Sequence, residues 1–309
     1  MLAIFLKTLP FFALIGTGWL AGRTRFFPPE ATAWLTKFVF YFALSAMLFR
    51  FASGLDLGAL WDGGFVLAYL TGSLTVWALG FAAARWRRLP LAEAAMEAHC
   101  GMTGNTGFLG VPMLVALLGP AAIGPVLMVM TIDMVVFSTL ITLIVHAARH
   151  GRLTAAMVLP LLRGLAANPM IVSMLAGLVW AALDLPMPAP VDEFLALLGA
   201  AATPGALFAI GASLVGRQAQ RLGPAAWLSL AKLVLHPLAV GIAAFAFFGV
   251  DPVAAGIMVA AAALPVAGNV YILAQHFNIA VQRVSTAILI STAGSILTVP
   301  LVIHWITKG

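Results

Sequence analysis

The chain has 309 residues, of which 63% are hydrophobic and 8% charged, with a mean hydropathy of +1.08; soluble domains carry about 25% charged residues. This composition excludes a soluble enzyme, a disordered chain and, with Cys100 as the one cysteine, a disulfide scaffold. Sixteen Lys and Arg against ten Asp and Glu give +6. The basic residues form short clusters between apolar runs without interleaved stacking aromatics, which is the pattern of a chain oriented in a bilayer, and no nucleic-acid partner is expected.

Breaking apolar windows at charged and Pro/Gly clusters predicts ten segments. They lie near Ile4 to Ala21, Ala31 to Phe51, Gly63 to Ala84, Leu91 to Leu118, Ile123 to Ala148, Leu161 to Leu183, Val191 to Val215, Ala225 to Gly249, Pro252 to Gln275 and Val284 to Ile306. A spanning helix takes roughly 20 apolar residues, and a barrel strand needs an alternating pattern of about ten that is absent. The expected fold class is an all-α integral membrane protein with ten transmembrane helices. Segment 1 holds only Lys7 in its opening stretch and is followed by Arg23 and Arg25, the reverse of a signal peptide, so a retained helix is expected.

Loops after segments 1, 3, 5, 7 and 9 hold ten basic residues: Arg23, Arg25, Arg85, Arg87, Arg88, Arg149, Arg152, Arg217, Arg221 and Arg283. The other side has Arg50, Lys308 and Lys7, together with the acids Asp56, Asp62, Asp184, Asp192, Glu193 and Asp251; Glu30 is the exception. The positive-inside rule then predicts a multi-pass protein of the inner (plasma) membrane with both termini extracytoplasmic.

The stretch from Arg149 to Pro160 is a midpoint with five segments on each side. Because five is odd, a second structural repeat must lie inverted relative to the first, an architecture common among secondary transporters. Segment 4 contains Gly101-Met-Thr-Gly-Asn-Thr-Gly-Phe-Leu-Gly-Val-Pro112, and segment 9 contains Leu264-Pro-Val-Ala-Gly-Asn269 at the same ordinal position. In a helix interior glycine costs about 1 kcal/mol against alanine and proline about 3. Backbone freed in lipid must find partners in protein or a water-filled cavity. Matching interrupted segments in two halves therefore point to a substrate site, whereas Gly18 and Gly22 in segment 1 read as close helix packing. No Gly-Lys-Ser/Thr follows the glycine run and no strand precedes it, which excludes a nucleotide loop.

The string Gly104-Asn-Thr-Gly-Phe-Leu-Gly-Val-Pro112-Met-Leu resembles the crossover motif of the auxin efflux carrier family, which includes plant PIN-FORMED carriers and bacterial carriers of malonate and related acids. Leu264 to Asn278 resembles that family's second crossover, and Lys37-Phe-Val-Phe-Tyr-Phe-Ala-Leu, Ala202-Thr-Pro-Gly-Ala-Leu-Phe-Ala-Ile-Gly and Lys232-Leu-Val-Leu-His-Pro237 recur at the expected places. The resemblance covers the whole chain. It implies two inverted five-helix repeats with broken helices 4 and 9, and elevator-like movement of a transport domain against a scaffold. The scaffold would comprise helices 1 and 2 (residues 1–55) and 6 and 7 (151–220); the transport domain, helices 3 to 5 (56–150) and 8 to 10 (221–309). A homodimer through the scaffold helices is compatible with it. Ser45 stands where the family has proline, and the long central loop of the plant carriers is missing.

Asn105 and Asn269 are the leading candidates for substrate contact, because an amide offers two donors and an acceptor without net charge. Their alternative role is to satisfy broken-helix backbone. Thr103 and Thr106 add hydroxyl donors, and Gly104, Pro112, Pro265 and Gly268 shape the crossovers. Asp133, about 15 Å into segment 5, is the one acid at mid-membrane depth and a candidate for coupling to a cation, or else a structural hydrogen-bond partner. Lys232 and His236 share a helix face; Lys232 is expected to snorkel to the cytoplasm, with pairing to Asp133 as the alternative. Glu93 and Glu97 are expected to line wet first turns, with a proton path through Glu97 and His99 as the alternative. Asn168-Pro169 and Thr203-Pro204 are expected to kink their helices. The scattered histidines form no metal-ligand cluster, so no metal, no cofactor and no catalytic residue is expected.

The expected function is secondary transport of a small organic anion. Its rivals are a sodium- or proton-coupled carrier of the bile-acid-symporter type using Asp133, an intramembrane enzyme, for which no convergent nucleophile and base exist in the sequence, and a channel.

Overall fold

The structure, a computed structural model, describes residues 2–55, 62–150, 158–216 and 221–308. Asp56, Arg152 and Arg217 of the charge count above lie outside the described residues. The described residues form helices throughout, with a single isolated antiparallel bridge between Gly104 and Val266. In chain order the α-helices are α1 (Leu2–Arg23), α2 (Pro29–Phe38), α3 (Leu44–Ser53), α4 (Gly63–Trp86), α5 (Leu91–Cys100), α6 (Val111–Leu118), α7 (Ile123–Ile132) and α8 (Ser138–His150). They continue with α9 (Val158–Ala166), α10 (Pro169–Ala182), α11 (Ala189–Ala200), α12 (Ala202–Ser213), α13 (Leu222–Leu230), α14 (His236–Ile242), α15 (Pro252–Ala262), α16 (Gly268–Phe277) and α17 (Val281–Lys308).

Seven helical stretches among the described residues are long and apolar enough to cross a membrane: Ile4–Arg23, Pro29–Ser53, Gly63–Trp86, Pro120–Arg149, Ala189–Ser213, Leu222–Phe247 and Val281–Thr307. Shorter apolar helices, Thr106–Leu118, Pro169–Ala182 and Pro252–Ala262, fall within segments 4, 6 and 9. The chain is thus a multi-pass membrane protein whose described residues are helical.

Local sequence explains the helix starts. Asp62 accepts from the Gly64 N–H at 2.8 Å, Asn168 from Met170 at 3.0 Å, and Asp251 from both Val253 and Ala254 at 3.0 Å. Each cap satisfies donors that the first helical turn leaves free. Segment 6 departs from the expected kink: the helix stops at Ala166 and restarts at Pro169 with Asn168 as cap. A proline that removes one bond and a side chain that supplies another favour a full break over a bend.

Several spans contain a widened π turn, at Val39–Ala43, Asp133–Phe137, Ala231–Leu235 and Ala243–Phe247. Ser45 donates to the Phe40 carbonyl at 3.1 Å and Ser138 to the Asp133 carbonyl at 3.2 Å. Both hydroxyls bond carbonyls five residues back, where the ladder is irregular. Ser45 therefore serves the turn with a donor.

Helices α1 and α12 touch at backbone distance. A Cβ on Gly18 would lie 2.0 Å from the Phe208 carbonyl oxygen, and one on Gly211 only 1.9 Å from that of Ile15. Lipid tails are as apolar as leucine, so such contacts hold by packing of small residues rather than by hydrophobic exclusion. Helix α10 meets α3 in the same way, with Gly177 against Phe49 and Ala52.

Gly211→Ala is expected to destabilise the detergent-solubilised protein by about 1–3 kcal/mol, the usual cost of overpacking. Gly16, in the same helix pair, has no atom within 4 Å of a built Cβ, so Gly16→Ala should melt at or above the wild-type temperature. Tryptophan-fluorescence melting of both variants checks this; equal melting would refute the close approach.

Candidate functional site

The glycine-rich stretch of segment 4 ends α5 at Cys100 and gives way to a π turn at Thr106–Gly110 that leads into α6. In segment 9, α15 ends at Ala262 and α16 begins at Gly268. The two interruptions lie side by side. Asn105 donates its backbone N–H to the Pro265 carbonyl at 2.9 Å, and Ala267 donates to the Thr103 carbonyl at 3.1 Å, flanking the Gly104–Val266 bridge. Val266 N–H also donates to Ser291 Oγ on α17 at 3.1 Å. Backbone that neither half-helix can satisfy is thus paired across the two breaks.

A cavity of about 650 Å³ opens against this crossing. Thr103, Gly104, Asn105, Thr106 and Asn269 line it, together with Asp133. Of the other sequence candidates, Pro265 contributes its carbonyl to the crossing, Gly268 starts α16, and Pro112 lines a different, smaller cavity. Three buried oxygens on the cavity-lining residues have no hydrogen-bond partner among the described residues: Thr106 Oγ1, Asn269 Oδ1 and Asp133 Oδ2. Buried polar atoms are otherwise almost always paired, so this cluster marks a place where a polar ligand can bind. The Asn269 amide can present either its oxygen or its NH₂ by a flip. Thr103 Oγ1 is in contact with His99 Nδ1 at 3.3 Å and Met102 Sδ at 3.1 Å, which commits it to the crossover's own packing. Lys37 is the one Lys or Arg among the described lining residues.

Behind the crossing lies a buried polar cluster. Tyr69 donates to Asp133 Oδ1 at 2.8 Å, Ser73 Oγ is 2.9 Å from His236 Nε2, and His236 Nδ1 is 3.2 Å from Lys232 Nζ. Lys232 is fully buried and donates to the Ala262 carbonyl at the end of α15. It does not snorkel, which corrects the sequence expectation. The carbonyl end of the broken helix carries partial negative charge and holds the ammonium inward. Asp133, itself 4% exposed, interacts electrostatically with Lys232. Tyr69 and Ser73 were not legible as site residues, because they reach the cluster from α4 across long sequence separations. His236 carried a signal, its i, i+4 spacing from Lys232.

Of the two acids of α5, Glu93 is part-exposed, as expected of a wet first turn, and Glu97 differs from expectation. Glu97 is fully buried rather than wet, paired with Arg87 and, at 2.9 Å, with Arg283, which also binds Glu93. Glu97 faces two guanidinium groups drawn from α17 and from the turn after α4, and these replace the water it gives up.

Interrupted helices that cross beside a largely apolar cavity, with polar side chains at the crossing, inside a multi-pass helical protein define a membrane transport protein. Residues 3–303 match the family of membrane transport proteins, and the chain belongs to that family, the auxin efflux carriers. It is similar to a protein of Rhizobium meliloti (strain 1021) named "Putative malonate transporter", at 34% identity over 305 residues, covering 97% of this chain and 95% of that protein.

Tyr69→Phe would leave both Asp133 oxygens without a hydroxyl donor. Stability should fall by about 1–3 kcal/mol, the cost of a buried polar group left unsatisfied. In an Asp133→Ala background the same change should cost far less, and additivity in this double-mutant cycle would show that the two side chains are not coupled.

Proposed function

We propose that this protein is a secondary carrier of small organic anions, mono- or dicarboxylates of the malonate or auxin-like kind, which bind where the two interrupted segments cross. The observation that carries this reading is the joined crossing at Gly104 and Val266, with Asn105, Thr106 and Asn269 on the wall of the cavity beside it. The restarting half-helices, from Thr106 and from Gly268, begin beside this cavity, and helix N-termini bring unpaired N–H groups with partial positive charge to an anion. The crossover residues include no acid. The relative described for malonate fits the same class of ligand.

In this reading the chain forms ten spans in two inverted five-helix repeats, with both termini extracytoplasmic in the inner membrane. Residues 1–55 and 151–220 act as scaffold, and residues 56–150 and 221–309 as a transport body that moves like an elevator and exposes the crossing to each side in turn. A homodimer through the scaffold helices is the assembly that would anchor such movement. The chemistry is binding and movement, without catalysis or cofactor.

Asn105→Ala and Asn269→Ala should each weaken carboxylate binding by about ten- to hundredfold, the worth of a hydrogen bond to a charged group. In proteoliposomes, carboxylates should inhibit uptake of labelled malonate far better than amides of equal size. Normal binding by both monodisperse variants, or equal inhibition by acid and amide, would sink the anion site.

A second reading is favoured by Asp133, whose Oδ2 faces no hydrogen-bond partner among the described residues while lining the same cavity. Here Asp133 couples transport to a cation or proton. Asp133→Asn should then preserve exchange of internal for external substrate and abolish accumulation against a gradient. Concentrative uptake by this variant would make Asp133 structural.

A further inference from the structure

Pro112 does not line the large cavity with its neighbours in the crossover. It lines a second cavity of about 250 Å³, with Val115 and Ala116 of α6, Arg50 and Phe51 of α3, and Thr203. The half-helix after the crossing therefore separates two cavities: Thr106 and Gly107 border the large one, and Pro112 and Val115 the small one. Helices α2 and α3 run on as one span, Pro29–Ser53, and place a basic residue in each cavity: Lys37 in the large and Arg50 in the small. They are thirteen positions apart, about 20 Å of helix. One span thus carries a cation on either side of the crossing.

Arg50 already holds a carboxylate. Its Nε donates to Asp192 Oδ1 at 2.6 Å and its Nη2 to Oδ2 at 3.0 Å, the two parallel bonds of a guanidinium fork. Asp192 is not itself a wall of the small cavity, whose lining includes no acid among the described residues. The paired side chains are 39% and 41% exposed, so water screens the pair and exchange of one carboxylate for another costs little.

On the carrier reading above, we infer that Arg50 is a second carboxylate-binding station, serving the face of the protein opposite the large cavity. Asp192 occupies the fork while the small cavity is narrow. When that side opens, a substrate carboxylate displaces Asp192 and meets the guanidinium before it reaches the crossing. A planar fork accepts a carboxylate through two bonds where an ammonium offers a point charge, which makes Arg50 a specificity-determining residue for acids.

The test is uptake of labelled malonate measured separately from each membrane face, in intact cells and in inside-out vesicles. Arg50→Gln should raise KM about two- to fivefold, the size expected of a solvent-screened charge, and on one face only. Asp192→Asn should lower KM on that same face, because it frees the fork. A purely structural tie between α3 and α11 predicts the same change from both variants on both faces, and that result would overturn the inference, as would an unchanged Arg50→Gln. Should Arg50→Gln fail to fold, Asp192→Asn decides alone: a lowered KM on one face supports the station, and an unchanged or raised KM overturns it. Absence of saturable wild-type transport of malonate and of every other small carboxylate tried overturns the carrier reading and the station together, whereas wild-type transport with indifferent variants overturns the station alone.

Discussion

Everything near the centre of this protein follows from one constraint: a backbone N–H or C=O removed from water must find a partner. Segments 4 and 9 stop being helical in the interior, at residues where glycine and proline make continuation costly, and each leaves groups that its own helix cannot bond. They meet those needs in each other. Asn105 N–H to Pro265 and Ala267 N–H to Thr103 are bonds of the kind found in a sheet, made within an otherwise helical chain. Because the partners come from stretches more than 150 residues apart, neither break can be formed alone.

The polar side chains around the crossing extend the same accounting. Lys232 is carried inward to the Ala262 carbonyl that the end of α15 exposes, and it meets His236 there. Asp133 takes a hydroxyl from Tyr69 on one oxygen. Three oxygens left without a partner among the described residues share the cavity wall, those of Thr106, Asn269 and the second oxygen of Asp133, while the indole N–H groups of Trp77 and Trp227 and the Thr298 hydroxyl are left over elsewhere. The site is where several such atoms face one cavity, which gives a ligand something to bind.

Away from the crossing, the helices are held by different means. Gly18 and Gly211 let α1 and α12 touch backbone to backbone, and Glu97 joins Arg87 to Arg283 across α4, α5 and α17. Gly72 likewise lies close to the Val240 backbone, and Arg50 pairs with Asp192 between α3 and α11. Close packing and ion pairing therefore act side by side through the helices, and the two cavities lie between them.

The sequence by itself determined that this chain lives in a bilayer, that it is helical, and where two of its helices fail, because apolar run length and the helix costs of glycine and proline are properties of short stretches. It also singled out Asn105, Asn269 and Asp133, since polar groups in long apolar runs are conspicuous without any knowledge of the fold. Only the tertiary structure decided which groups face each other. Lys232 reads as a snorkelling lysine from its depth alone, and Glu97 as a wet acid from its place in a first turn; both are fully buried because a carbonyl or guanidinium from a distant segment awaits them. Tyr69, Ser73 and the fork of Arg50 on Asp192 were invisible in sequence for the same physical reason: hydrogen bonds and ion pairs act over about 3 Å in space, whatever the distance along the chain.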